Sequence, residues 1–329
     1  MKEKNLIIIL IFLILVFFIS CDNENTIVDN GHITDSIKED TIHKDTIYQD
    51  TIKSKIYNFC LADVPVSAKS YDHIFIGSAL YHKANGLYSI NAPENMRYEE
   101  IEYGTFYNQE LYFTKGTPSL SETNKLFKEI ASAPISQNGT FIYSSPVTFH
   151  NHRELYLWGM KNRGIELDSI FSGRTYKWQK MLHKNGLIYT FYNELATIAM
   201  DYPEKSLLKN ILTPQEKDSL VYVNSITYGK LCYMIAEFDI SNDTAKEIII
   251  KLLKGEKLSQ DEVKIISQVN VCVVSFNEKA EPIIINGHES LISNFYSNSQ
   301  KLSFTPLTFS VLSLTDNSES SISYTVDMK

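Results

Sequence analysis

The sequence predicts an α+β fold, a sheet flanked by helical bundles. Seven strand-like runs lie between residues 74 and 314, and one of them, Leu220–Phe238, is far longer than an ordinary strand. Helix-patterned segments separate these runs, and two of them fall between the long strand and the run that follows it. Connections this rich in helix place the chain in the α+β class.

Taken along the chain, the strand-like runs are Ile74–Leu80, Glu110–Phe113, Thr140–Thr148, Gly186–Tyr192, Leu220–Phe238, Val269–Phe276 and Phe304–Leu314. The chain holds 20 Tyr and 17 Phe, a richness that suits a sheet with one wetted face. Leu120–Ala131 is helix-like, and Asn151–Lys161 leads into a mixed stretch that reaches Leu182. The clearest helix runs from Ser241 to Leu253. There Ala245, Ile248, Ile249, Leu252 and Leu253 recur at i, i+3, i+4, i+7 and i+8, which is one buried stripe. Ser241 or Asn242 caps its start, and Gly255 suits a left-handed turn past its end. A second helix follows, because Ser259 and Glu262 form a capping box before Val263 and Ile266.

The N-terminus sets an address. Lys2 and Lys4 precede an unbroken apolar run of 14 residues, Leu6 to Ile19, and then Ser20-Cys21. This is the plan of a secretory signal peptide. A membrane-spanning helix needs ~20 apolar residues, so the run is too short to remain as an anchor. Phe18-Ile19-Ser20-Cys21 resembles the bacterial lipobox, in which the cysteine thiol is acylated and becomes the mature N-terminus. Phe18 and Ser20 depart from its usual residues, and an ordinary cleaved signal with a chance cysteine is the alternative. The expectation is a lipoprotein of the bacterial cell envelope, held in the outer membrane through Cys21 and facing the periplasm or the outside. Residues 1–20 are then the signal and 21–60 a flexible stalk. The stalk carries a period of five in Asp35-Ser36-Ile37, Asp40-Thr41-Ile42, Asp45-Thr46-Ile47 and Asp50-Thr51-Ile52, which fits neither helix nor strand. A folded domain is expected over 61–329.

Composition narrows the function. A formal charge of −8 argues against a nucleic-acid partner and against strong attraction to anionic lipid. With Cys21 acylated, Cys60, Cys232 and Cys272 remain, an odd number that allows at most one intramolecular disulfide. Cys232 and Cys272 lie in strand-like runs and are candidate neighbours, with buried free thiols the favoured state. No glycine-rich phosphate loop, nucleophile elbow, paired-histidine zinc helix or CxxC occurs, so neither an enzyme nor a bound cofactor is expected. His150-Asn151-His152 would set two imidazoles on one strand face and invite a metal. However, Asn151 and Glu154 have the spacing of a capping box, and that reading is preferred to a metal site. Glu99, Glu100 and Glu102 read as a solvated edge.

Val223-Asn224-Ser225-Ile226-Thr227-Tyr228-Gly229-Lys230, within the long strand, resembles the V-S-N-V-A-Y-G-R block of the thiol-activated, or cholesterol-dependent, cytolysins. Val223, Tyr228, Gly229 and Lys230 carry this match. Upstream, Leu187-Ile188-Tyr189-Thr190-Phe191 resembles that family's I-F-Y-T-V, and Asp201-Tyr202-Pro203 its acidic-Leu-Pro. Downstream, Pro306-Leu307-Thr308-Phe309 with Leu314, Asp316 and Asn317 is similar to P-I-S-Y-x-x-x-x-L-x-D-N. The blocks are collinear over about 145–320, whereas 61–140 match nothing in the family. The resemblance implies a twisted antiparallel central sheet flanked by two helical bundles, the cytolysin/perforin-like pore-forming core. In that family the bundles unfurl into membrane-spanning hairpins after ring-shaped oligomerisation. By position, residues 160–185 and 241–267 would be the bundles.

Three departures qualify what the resemblance implies. The Asp-Asn block lies close to Lys329, which leaves the family's C-terminal membrane-recognition domain, with its cholesterol-contacting residues, without a counterpart here. Ser275-Phe276-Asn277-Glu278 stands where the family has a Gly-Gly pair, and a tether through Cys21 replaces a freely diffusing toxin. The charges also oppose insertion. As a strand, the second bundle alternates Ile248, Ile250 and Leu252 on a face bracketed by Lys246 and Lys254. A lysine at mid-bilayer costs roughly 2–4 kcal/mol. Arg174 and Lys177 interrupt both faces of 165–178 in the same way. The expected action is therefore protein binding or oligomerisation without autonomous lysis, and Ile248, Ile249, Leu252 and Leu253 belong to a permanent helix. The partners expected are the membrane through the N-terminal lipid, and a second copy or a related cytolysin-like protein. Cholesterol enters through the family alone. The alternative is a pore-former on cholesterol-containing membranes that is targeted by its own lipid or by a full-length partner. A weaker third is an enzyme or glycan-binding lipoprotein that shares only the fold.

Overall fold

The computed structural model describes residues 55–84, 90–133, 142–143, 146–151, 154–155, 160, 163–165, 170, 181, 183–203, 206–287 and 302–328. The chain parts into two units, residues 1–55 with 329, and Ile56–Met328. All but Lys55 of the first unit lies outside the described residues, as do Cys21 and the period-five repeats. The second begins with β1 (Lys55–Leu61), β2 (Asp63–Pro65), β3 (Ala79–Tyr81), β4 (Lys83–Ala84), β5 (Ile101–Tyr107), β6 (Glu110–Gly116) and α1 (Leu120–Ser132). Next come β7 (Ile142–Tyr143), β8 (Val147–Phe149), β9 (Asn185–Met200), α2 (Pro214–Asp218) and β10 (Leu220–Phe238). After them stand α3 (Asn242–Leu253), α4 (Gln260–Ile266), β11 (Asn270–Phe276), β12 (Pro282–Gly287), β13 (Thr305–Ser313), β14 (Glu319–Ser320) and β15 (Ile322–Met328).

The architecture is a large, mostly antiparallel sheet with few helices. Its strands run β12-β11-β10-β9-β5-β6, with β13 and β3 also on β10, and β7 and β8 on β9. A separate three-stranded sheet, β1-β15-β4, joins the start of the unit to its end. The stalk boundary expected after residue 60 falls inside β1.

Local chemistry explains most of these elements. Ser119 caps α1 by accepting from Glu122 N, and Leu126 and Ile130 bury its apolar stripe. Ser241 caps α3 through Thr244 N, while Ser259 and Glu262 open α4 with a full capping box. The run Ile74–Leu80 departs from expectation, since only Ala79 onward is a strand and Tyr71–His73 is a 3-10 turn. The cause is Gly77, whose φ of +80° breaks an extended ladder. β5 is masked in the sequence by the acidic run Glu99, Glu100 and Glu102 at its start. Glu99 and Glu100 are exposed as expected, but Ile101 and Tyr103 alternate into the core.

Candidate functional site

β10 is the spine on which the family-like motif sits. From Val221 to Gly229 it pairs with β13, whereas from Cys232 to Glu237 it pairs with β11. β9 accompanies it on the other side from Ser225 to Phe238. The sheet therefore forks between Gly229 and Cys232.

Each motif residue has a packing role near this fork. Val223 is buried opposite Val311, and its N–H and C=O bind Ser78 O and Gly77 N, at 2.9 Å each. Tyr228 is buried and stacks on Phe127 of α1, with centroids 4.0 Å apart and planes 13° off parallel. Burial drives its phenol pKa far up, so it stays neutral. At Gly229 the register with β9 shifts: Tyr228 faces Ala196 and Gly229 faces Glu194, which leaves Leu195 as a bulge. A Cβ on Gly229 would lie 2.1 Å from Asn193 O and 2.7 Å from Leu307 Cδ1. Lys230 holds its Nζ 4.8 Å from the centre of the Phe304 ring, and partial burial lowers its pKa. Arg163 fills the fork from outside the motif. It is buried, donates from Nη1 to Leu307 O at 2.9 Å, and lies 5.9 Å from the centre of the Phe276 ring. One guanidinium thus bonds the third residue of β13 and lies over the ring of the last residue of β11.

Beyond the fork, alternate β10 side chains enter two layers. Met234, Ala236 and Phe238 join Leu187, Tyr189 and Phe191 of β9 beneath Ala245, Ile248, Ile249 and Leu253 of α3. Leu252 is half-buried at the margin of this layer. Leu231, Tyr233 and Ile235 face the reverse layer, with Phe149, Leu155, Met160, Ile165 and Ile170. Most of the expected first bundle, 160–185, lies outside the described residues, but Met160, Ile165 and Ile170 are buried here. Just before β9, His183 ties together the ends of β9, β10 and β11. Its Nδ1 is 3.0 Å from Asp239 Oδ2, and Asn270 Nδ2 donates to its Nε2 at 2.8 Å. The ring proton therefore sits on Nδ1 and is donated to Asp239. That bond, with one from Lys184 N, holds the Asp239 carboxyl below its usual range.

The sequence foresaw the motif strand and the α3 stripe but not what lies between them. Gly229, Lys230 and Arg163 meet only through pairings between distant segments, and Arg163 carried no local signal at all. Cys232 and Cys272 are both buried free thiols. They serve opposite layers of the sheet, and Cys232 stands opposite Ser275, not Cys272. Asn151 and Glu154 make one half of the expected box, with Glu154 N donating to Asn151 Oδ1 at 3.2 Å, while the Glu154 carboxylate accepts from His150 N at 3.0 Å. Among the described residues no group of three His, Cys, Asp or Glu is placed to hold a metal, and no helix is long and apolar enough to cross a membrane.

The fold aligns with solved cytolysin structures. Pneumolysin aligns at a TM-score of 0.59 and 16% identity, over 83% of this chain and 63% of its own. The cytotoxin suilysin from Streptococcus suis aligns at 0.56 and 14% identity, over 84% and 64%. Listeriolysin O aligns at 0.56 and 13%, over 84% and 62%. The fold is that of the thiol-activated cytolysins. At these identities the likeness is one of fold, and the chain spans less than two thirds of each neighbour's length. No protein-family model and no curated protein matches the chain. Coverage of 83% exceeds the stretch 145–320, so the likeness takes in residues that the sequence blocks did not reach.

Proposed function

We propose that this chain is a lipoprotein of the bacterial cell envelope, held in the outer membrane through Cys21, whose cytolysin-like domain binds protein or oligomerises without lysing membranes alone. It has no catalytic role. The observation that carries the reading is the seating of α3. Its capped helix buries Ile248, Ile249 and Leu253 on the sheet, while Lys251 bonds Glu262 of α4 at 2.5 Å. Unfurled as a strand, the same segment would carry Lys246, Lys251 and Lys254 toward lipid or pore on both faces.

A second reading rests on the fold itself. The family resemblance implies pores in cholesterol-containing membranes, formed here with a full-length partner that supplies membrane recognition. Dye release from liposomes with and without cholesterol tests both. The chain alone is expected to release nothing. Cholesterol-dependent release that a disulfide between α3 and β9 blocks, and reduction restores, would overturn the first reading. Separately, Cys21→Ser is expected to abolish lipid labelling and move the protein out of the membrane fraction.

A further inference from the structure

The β5–β6 hairpin leaves large apolar side chains bare on one face of the sheet. Phe106 and Leu111 are each 71% exposed, and Phe113 is 52% exposed. The register sets Phe106 opposite Leu111 and Phe113 opposite Gly104, so no β5 side chain shields Phe113. The tight turn between the strands is Asn108-Gln109, both at positive φ. β6 is also the last strand on its side of the sheet, and among the described residues no strand pairs with its outer edge. Its usual edge protections are few, the charges being Glu110 at one end and Lys115 near the other. It has no proline, and it runs in unbroken register from Ile101↔Gly116 to Tyr107↔Glu110. Its Lys115 lies two residues beyond Phe113 on the same face and is held by Glu102 at 2.8 Å.

We propose that β6 is a dimer edge, at which two copies of this chain pair their β6 strands antiparallel about a two-fold axis through Tyr112, joining their sheets into one. A two-fold axis makes identical strands self-complementary. With Tyr112 opposite Tyr112, Leu111 of each copy faces Phe113 of the other, and Glu110 faces Thr114. Residues opposite one another across an antiparallel pair share a face. Leu111 and Phe113 from both copies, with Phe106 behind them, therefore close into a single apolar cluster, bordered at each end by a Lys115–Glu102 pair. Moving the axis to Phe113 would set Lys115 against Leu111 and break that cluster. A lipid surface fits less well, because the tip is Asn108-Gln109-Glu110 and Glu99, Glu100 and Glu102 line the hairpin's base. This proposal deepens the reading of an oligomerising protein, and its geometry does not depend on the lipid anchor. If Cys21 is the anchor, the 34 residues from it to β1 span at most roughly 110–120 Å, ample reach for domains on one membrane to meet edge to edge.

Tyr112→Cys in the full-length chain, oxidised in intact cells, tests the axis directly. A disulfide-linked dimer is expected that the parent chain, with its native cysteines, does not give. Adding Phe113→Lys is expected to cut the cross-linked fraction about tenfold or more. Ile283→Cys, on the β12 edge, is expected to give no dimer. Light scattering of the detergent-solubilised chain should read twice the monomer mass, and the mass of the Phe113→Lys variant should fall to that of the monomer. Phe113 is exposed, so an unchanged thermal midpoint for that variant shows that it still folds. A monomer mass with no cross-link at position 112 would overturn the proposal, as would equal cross-linking from Ile283→Cys. Phosphatidylcholine-vesicle binding by the Cys21→Ser chain that Phe113→Lys abolishes, with no change in mass, would assign the patch to lipid instead. Failure here leaves the anchored, non-lytic reading standing, since dye release and lipid labelling test that separately.

Discussion

Gly229 is required for space, whereas Gly255 is required for backbone angle. At Gly229 the obstacle to a side chain is the Asn193 carbonyl of the bulged β9, a backbone atom that cannot rotate away. Gly229→Ala is therefore expected to destabilise the fold by about 1–3 kcal/mol, read as a lower urea midpoint. An unchanged midpoint would mean that the bulge relaxes freely. Gly255 has nothing within 4 Å of its absent Cβ but sits at φ +70°, so its replacement by Ala strains the backbone alone. The sequence offered Gly229 only as one letter of a motif, and the bulge explains the letter. The thiols make a second case. Cys232 is buried, and burial together with nearby Cys272 pushes its pKa far up, which removes the reactive thiolate. Iodoacetamide is expected to leave both Cys232 and Cys272 unmodified in the native protein and to label both in urea, as mass spectrometry would show. Labelling of either under native conditions would mean that the layer above it opens.

At the scale of elements, α3 was legible because its signals are local and agree. Cap, stripe and terminal glycine all lie within 15 residues, from Ser241 to Gly255. Its energetics follow from its seat. Ile249 is fully buried between the helix and the sheet, so Ile249→Ala is expected to cost about 2–5 kcal/mol in urea unfolding. A loss below 1 kcal/mol would mean that the helix is only loosely seated. The link from α3 to α4 adds a pH dependence. The bond from Lys251, with capping bonds from Ser259, depresses the Glu262 carboxyl to about 2. A depressed folded pKa contributes stability that is present above the ordinary carboxylate value. That contribution is lost as pH falls through the folded value. The thermal midpoint of Glu262→Gln is therefore expected to lie below that of the parent near neutral pH. The gap should close between pH ~4.5 and ~2. The pair is only partly buried and still reached by solvent, so the gap is expected to be small and to shrink in high salt. β5 was illegible for the opposite reason, because an acidic run, Glu99, Glu100 and Glu102, marks its start while Ile101 and Tyr103 enter the core.

For the whole molecule, the sequence revealed the order of the central strands but not how the chain closes on itself. Periodicity and caps act over a turn or a strand, so β9, β10, β11, α3 and α4 could be read directly. Pairings between distant segments leave no such trace, and the sheet β1-β15-β4 and the fork at Arg163 were accordingly invisible. The same blindness set the expected domain start at residue 61. β1 runs from Lys55 to Leu61 and hydrogen-bonds with β15, whose Ile322 is buried in the core on which Leu61 packs. Removing β1 would uncover a ladder edge on β15 and expose part of that core. A fragment beginning at Lys53 is therefore expected to unfold at the same urea midpoint as the full mature chain. One beginning at Ala62 is expected to lose on the order of 3 kcal/mol, at about 1 kcal/mol for each ladder hydrogen bond lost. It should also aggregate more readily, because the uncovered edge is a template for pairing. Both fragments lack the period-five repeats, so a difference between them isolates β1 from the stalk. Equal midpoints would mean that the folded unit begins after Leu61, as the repeat pattern alone had implied.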